Sequence, residues 1–151
     1  QYDSYSRLDD FNENDYKKLF NLCKKYKIEF MSTPFDDEAV EMLDRIGVKG
    51  FKVASCDINN FPLLEKIAKT KKPILLSTGA SNLDEVKKTV KYLEKKGVKK
   101  LCIMHCTLSY PTEKYSIKIG YQTHKPIKKV IINEVKYKFI NLLKLLIKSF
   151  L

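Results

Sequence analysis

The chain has 151 residues, 44% of them hydrophobic and 31% charged, and a formal net charge of +11. These fractions are those of a soluble globular domain with a core of its own. The lysines spread along the surface faces of helical patterns (Lys17, Lys18, Lys24, Lys25; Lys87, Lys88, Lys91, Lys95, Lys96), with no arginine-rich run and no aromatic RNA-binding signature; they read as a solvated surface, with no nucleic-acid partner.

Residues 1–14 are polar and aperiodic. Asn12 or Asn14 caps a helix to about Tyr26, with Leu19, Leu22, Cys23 and Tyr26 as its apolar stripe. Ile28–Ser32 is then an apolar strand that Pro34 must stop. Asp36 is the N-cap of a second helix, Asp37–Ile46, with Val40, Leu43 and Ile46 on one face and Gly47 as its stop signal. Phe51–Ser55 is a second strand, Pro62–Thr70 a third helix with Leu63, Leu64, Ile67 and Ala68 inward, and Ile74–Ser77 a third strand. Asn82–Lys96 carries the clearest helix signal: Asn82 caps, Glu85 completes a capping box, Val86, Val90 and Leu93 make the stripe, and Gly97 stops it. Leu101–His105 is the fourth strand.

Strands that begin near residues 28, 51, 74 and 101, the first three each followed by a helix, are regularly spaced βα units. The fold class expected is α/β, with parallel strands making about half of a (β/α)₈ TIM barrel, which spends roughly 30 residues on each unit. A flavodoxin-like open sheet is the rival, but it concentrates its chemistry at one switch point. Here every strand ends in polar groups. Ile117–Thr123 is a candidate fifth strand, although the five residues from Glu113 to Ile117 are too few for a crossover helix. The expected domains are 1–124, the partial barrel, and 125–151, a basic Lys/Ile-rich helical tail. That tail is either a packing helix, the reading favoured here, or a membrane-surface helix.

Thr33, Ser55 and Ser77 put small hydroxyls at successive strand ends. Hydroxyls and free amides there suit a phosphate or carboxylate, although Ser and Thr also end strands for turn reasons alone. Lys52 lies in an otherwise apolar strand, so it faces a polar interior or marks an exposed edge. An inward lysine needs an anionic partner. Tyr110, before Pro111, is either a pocket wall or a turn residue. His105 reads as structural, and His124 as a metal ligand, a general base or neither. Cys23, Cys56, Cys102 and Cys106 form no CxxC pair and read as reduced, mostly buried thiols of a cytoplasmic protein; Cys102, His105 and Cys106 match no common zinc spacing.

Taken in order, STPFD, FKVAS, LLEKIAKTKKPILLSTG and HCTLSYP resemble the sialic acid synthase family, which includes N-acetylneuraminate, pseudaminic and legionaminic acid synthases. The resemblance covers roughly residues 11–111, with a weaker echo at IGYQTH. It implies a TIM barrel followed by a small antifreeze-like domain. The implied reaction condenses phosphoenolpyruvate with an N-acetylated amino sugar, with release of phosphate. A divalent metal, manganese or magnesium, would activate the sugar aldehyde. By position, Thr33, Lys52, Ser55 and Ser77 match the phosphoenolpyruvate-binding set, Tyr110 a substrate-pocket residue, and His124 the metal-binding histidine of the family's GYSDH motif.

The chain departs from that pattern at Leu108, where the family has Asn or Ser, and at Gln122 and Thr123, where it has Ser-Asp. Counterparts of the first two strands with the catalytic glutamate, of the second metal histidine and of the antifreeze-like domain are missing. The expectation is therefore a fragment, inactive alone and prone to self-association. The alternative is a non-enzymatic fragment that assembles with another chain or lies on a membrane surface.

Overall fold

Side-chain caps set where the helices begin. In the computed structural model, which describes residues 11–106 and 108, Asn12 accepts from the Asn14 and Asp15 N–H groups and Asp15 returns to the Asn12 N–H. This capping box opens α1, Glu13–Lys25. The Asp36 carboxylate accepts the Ala39 N–H at 2.6 Å and opens α2, Asp37–Ile46. Gly47 closes α2 with φ +95°, a left-handed value that costs a residue without Cβ nothing. Asn60 caps α3, Phe61–Lys69, and Asn82 with Glu85 boxes α4, Leu83–Lys95.

Between the helices run three short strands, β1 (Phe51–Val53), β2 (Ile74–Ser77) and β3 (Leu101–Met104). They form one parallel sheet in the order β1-β2-β3. Phe51 pairs with Ile74 and Ile74 with Leu101; Lys52 pairs with Leu75 and Leu75 with Cys102. Side chains alternate across a strand, so this register sorts the sheet into two faces. Phe51, Val53, Ile74 and Leu76 are essentially inaccessible, and pack with Val40, Leu43, Leu64, Ile67 and Leu93 of the helices. Lys52, Leu75 and Cys102 occupy the opposite face and are only half-buried. Thr89 is a buried polar residue on α4, and its hydroxyl donates to the Ile58 carbonyl at 2.7 Å.

Three sequence expectations need correction. Ile28–Ser32 is not a strand: it runs beside β1, joined where the Lys52 N–H donates to the Ser32 carbonyl at 3.3 Å, too little pairing for a ladder. The sheet is thus three-stranded among the described residues, not four-stranded. Leu22 and Tyr26 are 50% and 63% exposed, because α1 packs through Tyr16 and Phe20, whose rings meet Phe30 edge-on at 6.5 and 6.2 Å. The inward stripe of α1 is rotated from the one expected. The thiols are free, as expected, but Cys56 is exposed and Cys23, Cys102 and Cys106 are half-buried, so none is fully enclosed. Burial pushes the Cys23 and Cys102 thiols above their ordinary pKa. The candidate fifth strand, residues 117–123, and the tail, residues 125–151, lie outside the described residues. No helix among the described residues is long and apolar enough to cross a membrane.

Ion pairs link each helix to the next. Glu13 joins Arg45 between α1 and α2, Glu41 joins Lys66 between α2 and α3, and Glu65 joins Lys96 between α3 and α4. These partners lower the carboxyl pKa values: Lys17 and then Arg45 at Glu13, Lys66 at Glu41, and Lys96 and then Tyr92 at Glu65. A carboxyl lowered on folding stabilises the fold above its unfolded pKa, and that stabilisation is lost as pH falls through the folded value.

Two predictions follow from this packing. Leu64→Ala empties a site with no exposure at the centre of the core and should cost about 2–5 kcal/mol in urea unfolding, whereas Leu22→Ala, half-exposed on α1, should cost under about 1 kcal/mol. In an unfolding series from pH 7 downward, stability should hold until the ordinary carboxylate range and then decline. The decline should be shallower at high salt, because these pairs are exposed and screened. A salt-independent acid limb would show that the interhelical pairs are not its source.

Candidate functional site at the C-terminal rim of the sheet

The polar groups expected at the strand ends do gather at one end of the sheet, though not all as strand residues. Pairing of β1 ends at Val53, and Ser55 opens a single 3₁₀ turn, Ser55–Asp57, so the strand is shorter than Phe51–Ser55. Ser77 ends β2, opposite Met104, and is 3% exposed. Thr33 is half-buried and directly follows Ser32, whose carbonyl takes the Lys52 N–H. Lys52 is half-buried on the face away from the helices. Among the described residues no carboxylate is paired with it, whereas nine other ion pairs occupy lysines or arginine elsewhere. Tyr110 and His124 lie outside the described residues.

The rim is stitched by Thr78 and Gly79, neither of which the sequence pattern singles out as a site residue. The Gly79 N–H donates to Ser55 Oγ at 3.0 Å, which fastens the turn after β2 to the turn after β1. Thr78 Oγ1 donates to the Met104 carbonyl at 2.8 Å, which fastens the end of β2 to the end of β3. A Cβ at Gly79 would lie 3.2 Å from Cys106 Cβ, 3.3 Å from the Cys106 carbonyl oxygen and 3.3 Å from Ser55 Oγ, so the three chain segments close on a position that suits glycine. The signal was in the run Ser77-Thr78-Gly79, whose second and third residues also face neighbouring strand ends.

Chemically, these bonds separate spent groups from available ones. The Thr78 hydroxyl proton is committed to a carbonyl. Ser55 Oγ acts as an acceptor for Gly79, and among the described residues its own proton has no acceptor. Ser55 and Lys52 thus present a hydroxyl donor and an uncompensated cation from the same short segment. That combination fits an anion. The described strands form an open sheet, so this rim is a surface rather than an enclosed cavity. Three surface grooves are lined by other residues: one by Lys71, Lys99 and their neighbours, one by Phe61 and Tyr92, and one by Phe20 and Phe30.

Metal binding finds no support in this region. Among the described residues no three His, Cys, Asp or Glu side chains converge to hold a metal ion. His105 is exposed just past β3, and the Cys106 thiol donates to the Met104 carbonyl at 3.5 Å. The described donors do not fit a divalent cation, and no chemical step is assigned to one here.

Comparison with known proteins gives a consistent answer. The model of the NeuB family matches residues 1–127. The N,N'-diacetyllegionaminic acid synthase of Campylobacter jejuni is 38% identical over 125 residues, which cover 72% of this chain and 37% of that protein. The N-acetylneuraminate-9-phosphate synthase of Drosophila melanogaster is 32% identical over 112 residues, 74% of this chain and 30% of that one. Among solved structures, the N-acetylneuraminic acid synthetase of Leptospira borgpetersenii, in complex with citrate, superposes with a TM-score of 0.65 at 36% identity, covering 69% of this chain and 36% of that one. This chain therefore spans well under half the length of the relatives it matches. Its parallel α/β architecture is part of a TIM-barrel-type synthase fold, and the chain belongs to the NeuB family.

Proposed function

We propose that this chain supplies the phosphoenolpyruvate-binding side of a sialic acid synthase-type barrel, which joins phosphoenolpyruvate to an N-acetylated amino sugar. The observation that carries the reading is Lys52: a half-buried cation without a carboxylate partner among the described residues, on the sheet face away from the core. In such a setting an anionic ligand compensates the charge. Lys52 takes the phosphate or carboxylate of phosphoenolpyruvate, Ser55 donates its free hydroxyl proton, and Thr33 and Ser77 provide further hydroxyls at neighbouring chain ends. Tyr110 is assigned to the pocket wall by its match to the family pattern.

In this reading the chain's own residues bind and orient the enol ester. Lys52 offsets negative charge as the phosphate leaves, and the fixed rim bonds Gly79–Ser55 and Thr78–Met104 hold the donors without reorganisation. By resemblance, a divalent metal would activate the sugar aldehyde, and His124, outside the described residues, would be one of the residues holding it. These 151 residues alone bind but do not turn over, because the three strands among the described residues do not close a barrel around a sugar and the chain spans well under half the length of its relatives. The reaction class places the protein in carbohydrate biosynthesis.

Calorimetric titration tests the reading. Phosphoenolpyruvate should bind the chain, and Lys52→Ala should weaken that binding by roughly ten- to a hundredfold, the worth of a charge-assisted contact. Unchanged affinity in Lys52→Ala would remove the assignment. With manganese, phosphoenolpyruvate and N-acetylmannosamine, phosphate release should equal the protein-free control; sugar-dependent turnover would contradict the claim that the chain binds without catalysing.

A further inference from the structure

At the opposite end of the sheet the balance of charge is different. The connections that enter β2 and β3 bring Lys71, Lys99 and Lys100 beside Lys69 and Lys96, around a groove of about 630 Å³. Glu65 is the one acidic residue in its lining. That carboxylate is already shared: it accepts from Tyr92 at 2.9 Å, pairs with Lys96 at 2.8 Å and lies 3.7 Å from Lys69. Lys71, Lys99 and Lys100 have no ion-pair partner among the described residues. Nearby lysines of the same sheet end do have partners, since Lys49 joins Glu29 and Lys72 joins Asp44. Other lysines near this end, Lys24 and Lys27 among them, also lack an ion-pair partner among the described residues, but Lys71, Lys99 and Lys100 gather around one groove.

Lysines in the last turn or at the C-cap of a helix complement its dipole, which accounts for Lys69 and Lys96. It does not account for Lys71, Lys99 and Lys100, which stand in the connections beyond the helix ends. Residues 109–151 are themselves basic, with nine lysines and two glutamates. We infer that this groove binds a compact, phosphate-dense anion carrying three or more charges, at a site distinct from the C-terminal rim. Its volume falls in the range of small-molecule sites, about 300–1,000 Å³. The lining offers lysine point charges suited to phosphate oxygens. It holds neither the arginine forks nor an aromatic platform that base recognition uses, which disfavours a nucleic acid.

The probe is inorganic tripolyphosphate, titrated calorimetrically into the 151-residue chain at low salt. The expected result is saturable one-to-one binding that weakens as salt is raised. The combined variant Lys71→Gln, Lys99→Gln, Lys100→Gln should weaken it about tenfold. Those three lysines are not part of the core, and an unchanged thermal melt of the variant checks that the fold is intact. Lys52→Ala should leave tripolyphosphate binding unchanged, while the triple variant should keep its affinity for phosphoenolpyruvate. Equal binding by the parent and the triple variant would overturn the inference, as would an absence of saturation. Binding of a single-stranded oligonucleotide but not of tripolyphosphate would overturn it in favour of a nucleic-acid surface. Either failure leaves the reading of the C-terminal rim untouched, because that reading rests on Lys52.

Discussion

The parallel register of three short strands is the constraint on which the rest depends. Placing Phe51 beside Ile74 and Leu101 fixes which side chains share a face. A slip of one residue would move Lys52 into the apolar layer now filled by Phe51, Val53, Ile74 and Leu76, where an unpaired ammonium is prohibitive. Packing and the proposed anion site are therefore set by the same pairing. The face that must be dry is sealed by α2, α3 and α4, and the cation is left on the other.

Helices hold that register from outside. α2, α3 and α4 pack on the sheet through apolar stripes, α1 packs on Phe30 through Tyr16 and Phe20, and each helix meets the next through an interhelical ion pair. The pairs are exposed, so their energetic weight is small. They nevertheless occur once at each successive helix junction, at Glu13–Arg45, Glu41–Lys66 and Glu65–Lys96, where they favour one lateral order of the helices. The rim bonds from Gly79 and Thr78 play the corresponding part for the strand ends, tying three separate chain segments together beyond the last ladder bond.

Most of the helical layer was legible in the sequence because its signals are local. Asp36, Asn82 with Glu85, and Gly47 cap or stop helices in the structure as their positions foretold. The Ile28–Ser32 segment was misread because an apolar run reports burial and not ladder pairing; Phe30 is held by α1 aromatic rings, not by a full set of backbone bonds. The α1 stripe was misplaced for a related reason, since two aromatic contacts outweigh a periodic count in choosing the buried face. At the rim, Lys52 and Ser55 stood out as polar residues in an apolar strand. Gly79 and Thr78 did not, because their roles depend on contacts with Ser55 and Met104, which are 24 and 26 residues away in the chain. What the resemblance to the family adds, and spacing does not, is the chemistry proposed for this rim.

The central claim is that the sheet end bearing Lys52 and Ser55 is an anion site. Amide NMR during a titration with phosphoenolpyruvate tests it most directly. The account predicts that the largest shifts fall on Lys52, Ser55, Ser77 and Gly79, while the amides of Lys71, Lys99 and Lys100 move little. Shifts confined to those three lysines, or spread evenly over the surface, would contradict it.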